Sequence, residues 1–404
     1  MIGDRTARRP LTLALVAPAL VGSLLAGCGP SDEPYQYRRA PIVLVDLSGL
    51  RADRLGAFGG GPTPHLDRFA AESVVFEWAF TPSPHAGPAR ASLLTGRYPV
   101  ALGVLADGGD LDEGTATLAA HLAGHGYRTA AFVEDTGGVT GLEQGFEEWD
   151  DRGRGAGAVL ARAGEWLGGA GDGPFFLFVQ ARVPEGAATY DQAVAAADEA
   201  IGVLLRALDA RGRGERAVVA VTSSHGFPAA EGEEEPVPDA TVGSDVHVAV
   251  ARVPLLLRLP GAHQRREPRI TDLVDVAPTL LELVGIEPDA KVQGDSLVAI
   301  LDQRGRPPYL AFTDSIDPEG GLAVAMAGYR LVLQRSTERV ALYRLTDDPL
   351  ERADLAAEEP DKVAVLRRRL EEWQRAVLAG GADGEGVSAD DEMLEQLRNL
   401  GYIQ

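Results

Sequence analysis

Pro84-His85-Ala86-Gly87-Pro88-Ala89-Arg90-Ala91-Ser92-Leu93-Leu94-Thr95-Gly96-Arg97 is the stretch on which the reading of this chain turns. Ala86 limits its chemistry at once. A methyl group has no heteroatom to oxidise or to attack with, so covalent catalysis at that position is closed. Arg90 leaves two readings open, a salt bridge or helix-end contact that holds the turn, and an anion contact.

Outward from this stretch, short apolar runs alternate with longer helix-like segments. Ile42-Val43-Leu44-Val45 starts a run typical of a strand buried on both faces of a parallel sheet. Similar runs lie at Thr129–Val133, Phe175–Val179, Ala217–Thr222 and Pro254–Leu259, and helical patterns near Thr115–Ala123, Ala156–Trp166, Asp191–Ala210 and Ile270–Val284. The alternation predicts an α/β fold with a doubly wound, mainly parallel sheet flanked by helices. Past about residue 305 the pattern changes. Tyr329–Gln334 and Arg339–Leu345 read as a hairpin, Asp361–Val377 as a helix, Gly380–Ser388 as a linker and Asp390–Leu400 as a last helix. A small C-terminal α+β subdomain over 306–404, beside a main domain over 41–305, is expected.

The chain has 404 residues, a formal net charge of −22 and 45% hydrophobic content, enough for a large core. Such a charge repels phosphate backbones, so no nucleic-acid partner is expected. The single cysteine, Cys28, follows a basic start (Arg5, Arg8, Arg9) and an apolar run from Leu11 to Leu25. That run is shorter than the roughly 20 residues a spanning helix needs. Leu25-Ala26-Gly27-Cys28 resembles a bacterial lipobox, in which the cysteine is lipidated and becomes the mature N-terminus. This implies a signal peptide over 1–28, a flexible tether over 29–40, and an exported lipoprotein anchored to a membrane, in the periplasm or at the cell surface.

Six segments, in order, resemble the sulfatase family of the alkaline phosphatase superfamily. The opening stretch resembles its Cys-x-Pro-Ser-Arg signature with the following Thr-Gly-Arg. Leu50–Gly56, Thr63–Ala70, Val253–Gly261, Asp275–Leu281 with Gln293–Leu297, and Leu342–Glu351 resemble later family segments. The resemblance implies the family fold, and a site built from a divalent cation (usually Ca²⁺), a formylglycine made from the signature cysteine or serine, and basic groups around the sulfate. Ala86 occupies the nucleophile position. Ser48, Gly49 and Ser224 stand where the resemblance places metal carboxylates. A hydroxyl and a bare glycine do not balance a divalent charge in a partly dehydrated pocket.

The expectation is therefore a catalytically impaired or inactive sulfatase-like lipoprotein with no cofactor, acting by binding or as a structural element, with anionic or sulfated glycans as its class of ligand. Arg90 and His225 are the retained pocket residues. The alternative is an active sulfuric or phosphoric ester hydrolase with a rebuilt Ca²⁺ site, drawing on Asp46, His85 and His225. Asp46 lies two residues before Ser48, so both project to one side of the strand. Its blander role is a buried carboxylate paired to an arginine or to backbone donors. His85 reads as an exposed loop histidine, His225 as a satisfied supporting imidazole, and Glu231-Gly232-Glu233-Glu234-Glu235 as a solvated acidic loop or a weak calcium binder.

Overall fold

The computed structural model describes residues 35–378, apart from 106–107, 184–186, 188, 211, 229–244, 262 and 305–308. Cys28 with its signal segment, the acidic run 231–235, the linker 380–388 and the last helix 390–400 lie outside the described residues. Of the expected tether 29–40, residues 35–40 belong to the folded body. The Tyr37 N–H donates to the Leu283 carbonyl at 2.5 Å, Tyr35 packs edge-on against His263, and Ala40 is buried.

Eight strands form the main sheet, in the order Arg265–Asp272, Val74–Phe80, Arg252–Arg258, Val218–Thr222, Ile42–Ser48, Phe175–Arg182, Arg128–Val133 and Glu148–Asp150. Only Arg252–Arg258 runs antiparallel to its neighbours. All seven residues of the central strand Ile42–Ser48 are buried. Alternation along it sends Ile42 and Leu44 into one apolar layer and Val43, Val45 and Leu47 into the other. Helices Ala86–Thr95, Leu118–Gly124 and Val276–Leu283 cover the first layer. Helices Pro64–Ala70, Ala156–Gly169 and Tyr190–Asp209 cover the second. Asp46 and Ser48 share the parity of Ile42 and Leu44, which puts them beneath the helix of the opening stretch.

The expected helix over Ile270–Val284 needs correction. Ile270–Asp272 finishes the strand Arg265–Asp272, a 3-10 turn spans Leu273–Asp275, and the helix is Val276–Leu283. Asp272 is the reason. Its side chain accepts the Val274 N–H at 3.2 Å, while Asp275 reaches back to the Asp272 N–H at 3.1 Å. This reciprocal cap fixes the helix start later than the apolar pattern does.

Strands Leu310–Asp314, Gly321–Met326, Tyr329–Gln334 and Arg339–Arg344 form a fully antiparallel second sheet. Helix Pro360–Leu378 lies on it, with Trp373 stacked on Phe312 at 4.8 Å and edge-on to Tyr98 at 5.1 Å. Tyr98 and Val274 thereby share one apolar cluster with the second sheet.

Candidate functional site

The site lies at the C-terminal ends of the central strands. Parallel pairing sets Gln180 opposite Asp46 and Arg182 opposite Ser48, and Thr222 opposite Asp46 on the other flank. Ser224 follows two residues beyond Thr222. Over this edge the helix Ala86–Thr95 starts with His85 as its N-terminal cap residue and half-buried Ala86 as its first residue. Its second residue makes the close approach possible. A Cβ on Gly87 would lie 2.2 Å from the Gly137 carbonyl oxygen, so glycine alone lets the helix start seat against that loop.

Arg90, one turn into this helix, is completely buried, as is Asp46. The Arg90 Nε donates to Asp46 Oδ2 at 3.2 Å, Nη2 to Ser48 Oγ at 3.1 Å and Nη1 to the Asp135 carbonyl at 2.7 Å. The second Asp46 oxygen accepts the Ser224 N–H at 2.7 Å. Asp46 is thus paired both to an arginine and to a backbone donor. For Arg90 the structure selects the salt bridge: its side chain has no exposed surface with which to meet an anion.

Ser48 is the hub. Its hydroxyl has one proton and two lone pairs. Around it lie Asp46 Oδ2 at 3.0 Å, Ser224 Oγ at 3.0 Å, Arg90 Nη2 at 3.1 Å and Gln180 Nε2 at 3.1 Å. Four polar neighbours saturate it. The Gln180 amide is oriented in turn, because its Oε1 accepts the N–H groups of Glu134 at 3.0 Å and Asp135 at 2.9 Å. The sequence resemblance sets Gln180 at the position of a family histidine, and the strand register brings it beneath Ser48.

Of the two histidines, His225 lies close enough to the hub for the charges of Asp46 and Arg90 to act on its imidazole. His85 is buried, not an exposed loop residue: its Nε2 lies 2.9 Å from the Ser315 carbonyl, just after the first strand of the second sheet. His225 is half-buried, with its Nδ1 2.6 Å from the Gly226 carbonyl, and burial pushes its imidazole below the ordinary value. The His225 carbonyl accepts the Gly49 N–H at 3.0 Å. Gly49 itself, at φ +88°, presents no side chain.

This donor set does not fit a divalent cation. A hard ion of the calcium type takes six to eight oxygens with carboxylates among them. Here the positions in question offer two serine hydroxyls and a glycine, and the neighbouring carboxylate is already charge-paired to a guanidinium. Among the described residues no three His, Cys, Asp or Glu side chains cluster to hold a metal.

Other parts of the motif pattern hold the backbone. Arg51 forks onto Asp53 at 2.8 and 2.9 Å, and its N–H reaches the hydroxyl of Tyr190, which donates to the Gly49 carbonyl at 2.6 Å. Asp67 accepts the N–H groups of Ala57 and Thr63. Glu351 pairs with buried Arg330 at 2.8 Å and accepts the Val248 N–H at 3.0 Å.

Comparison with known proteins agrees with this architecture. The Sulfatase family model matches residues 41–184 and 175–286, and the model "N-sulphoglucosamine sulphohydrolase, C-terminal" matches 246–376. The ulvan-active sulfatase of Formosa agariphila is 25% identical, covering 73% of this chain and 71% of that protein. Steryl-sulfatase of Mus musculus is 35% identical over 30% of this chain, a match that spans only 22% of that protein's own length. Among solved structures, a 2-O GAG sulfatase superposes with a TM-score of 0.73 at 18% identity, over 84% of this chain and 93% of that one. A protein from Bacteroides thetaiotaomicron solved for its part in glycosaminoglycan metabolism gives 0.71 at 20% identity, over 89% and 99%. By the extent of the family match, the chain belongs to the sulfatase family.

Proposed function

We propose that this protein is a non-catalytic member of the family that works by binding or as a structural element, exported and held at a membrane by lipid on Cys28. The observation that carries the first part is the closed hydrogen-bond circuit of Asp46, Ser48, Arg90, Gln180 and Ser224. Within this circuit each side chain is hydrogen-bonded to another part of the protein. Ala86 adds the absent nucleophile. Residues of one catalytic constellation act as a unit, so loss of several together removes far more than partial function. The alternative, an active hydrolase rebuilt on Asp46, His85 and His225, is disfavoured because Asp46 is already paired to Arg90 and to the Ser224 N–H. The relatives named above act on sulfated substrates by their descriptions. A sulfated glycan remains the proposed class of ligand, bound by groups other than Arg90.

One preparation tests this reading. Protein extracted from membranes of the producing cells is expected to carry a diacylglyceryl mass on Cys28. It is expected to hold no stoichiometric Ca²⁺, Mg²⁺, Mn²⁺ or Zn²⁺, and to hydrolyse neither aryl sulfates nor aryl phosphates above blank. Ala86→Cys alone is expected to leave it inactive. Turnover that disappears on Asp46→Ala would overturn the non-catalytic reading.

A further inference from the structure

At the opposite edge of the main sheet, where the parallel strands begin, a cavity of about 360 Å³ opens beside Pro41 and Phe175. Four arginines line it, Arg38, Arg39, Arg213 and Arg216. In a chain of net charge −22 this is a local inversion of sign. Arg213 is buried and fixed. Its guanidinium donates to the carbonyls of Leu167 and Gly171 and lies over the Phe175 ring. Arg39 and Arg216 are exposed, and among the described residues neither has an ion-pair or side-chain hydrogen-bond partner. Among the described residues Arg38 hydrogen-bonds the Gln36 side chain, and its own side chain lies beside Gly285. Asp172 and Glu215 share the rim and leave the positive charge in excess.

The arginine pair at 38–39 is held in place. Arg39 has φ +62°, uncommon for a residue with a Cβ, within a turn closed by the Ala40 N–H on the Tyr37 carbonyl at 2.9 Å. Its neighbours Tyr35 and Tyr37 pack on the core. Such a strained conformation persists only where the surroundings over-determine it. The cavity is therefore a rigid apolar floor with guanidinium groups around its mouth, which suits a monoanionic phosphodiester beside an apolar neighbour. Six residues, 29–34, separate Cys28 from the folded body, and at no more than about 3.5 Å each they span roughly 21 Å. A lipid on Cys28 would therefore keep the start of the folded body, where Tyr37 and Arg38 line the cavity, near a bilayer surface.

We infer that this cavity binds the phosphodiester head group of an anionic phospholipid, and so sets which edge of the sheet faces the membrane. The orienting role rests on the lipid-anchor reading, whereas binding of the head group does not. The test is calorimetric titration of the full chain, carrying Cys28→Ala, with monomeric dihexanoylphosphatidylglycerol. The same titration is run with dihexanoylphosphatidylcholine and with inorganic phosphate. The expected result is saturable binding of the glycerol lipid. It should weaken about tenfold or more with Arg39→Gln plus Arg216→Gln and decline as salt is raised. The choline lipid, with the same tails and no net charge, is expected to bind at least tenfold more weakly. Both arginines are exposed, and an unchanged melting temperature verifies that the variant is folded. Equal binding by variant and parent, or no binding, overturns the inference. Inorganic phosphate binding as tightly as the glycerol lipid also overturns it, by making this a site for free anions. Because the lipid is supplied in solution, the outcome does not depend on whether Cys28 is modified.

Discussion

Arg90 and Asp46 are two opposite charges with no exposure, and neither tolerates the loss of the other. Removing one member of a buried pair leaves an uncompensated charge, which costs about 3–5 kcal/mol. Arg90→Met is expected to destabilise the protein by that amount in denaturant unfolding. Asp46→Asn combined with it should cost clearly less than the sum of the single changes, because the double variant buries no orphan charge. Strict additivity would show that the pair is not coupled as its 3.2 Å contact requires. At this scale the sequence was readable in part. An arginine partner for Asp46 was among the readings. Its identity was not, because Arg90 arrives from a helix 44 positions away in the chain. His85 was misjudged for a similar reason: its carbonyl partner, Ser315, lies 230 positions away.

The helix Ala86–Thr95 is buried at every position after the first, so no amphipathic stripe records which side faces the sheet. Its seat depends on Gly87. Gly87→Ala would press a methyl group into the Gly137 carbonyl, and overpacking of this kind costs about 1–3 kcal/mol. The same exchange at Gly157, where nothing lies within 4 Å of an added Cβ and the residue is helical, is expected to be neutral or stabilising. Thermal melts of the two variants check this, and a Gly87→Ala protein as stable as the parent would refute the close approach. Five strands of the main sheet were legible as apolar runs, since both faces of a covered strand need apolar side chains. Val74–Phe80, which carries Glu77 within it, and the two edge strands Glu148–Asp150 and Arg265–Asp272 were not. Arg265–Asp272 has Pro268 inside and a register shift between Glu267 and Ile270. Its charges are matched within the fold, Arg265 and Arg269 both bonding the buried Glu267. Charged residues and proline are what an edge strand carries, and in a sequence they read as a loop.

At the scale of the whole molecule, one of the joints between the two sheets is a buried carboxylate, beside backbone contacts such as the Asp314 N–H on the Pro82 carbonyl at 2.9 Å. Buried Asp272 accepts the Phe312 N–H at 2.9 Å, the first contact of the second sheet with the main one at this point, and the Tyr98 hydroxyl at 3.2 Å. Burial raises its carboxyl to about 7, and burial with the charges of Asp272 and Asp295 raises Asp275 as well. A carboxyl whose folded value lies above its unfolded one binds more protons in the folded state between the two. Its contribution to stability is therefore present at the acid end of the window and falls as pH rises from about 4 through about 7. One such group changes the unfolding free energy by at most about 1.4 kcal/mol per pH unit. Asp272→Asn keeps the side chain's size and removes its titration. Unfolding free energies measured at intervals from pH 4.5 to 7.5 are expected to decline less steeply in that variant than in the parent, through loss of the Asp272 titration and of its charge on Asp275. Identical slopes would mean that Asp272 is ionised throughout and that the joint between the sheets holds a full negative charge.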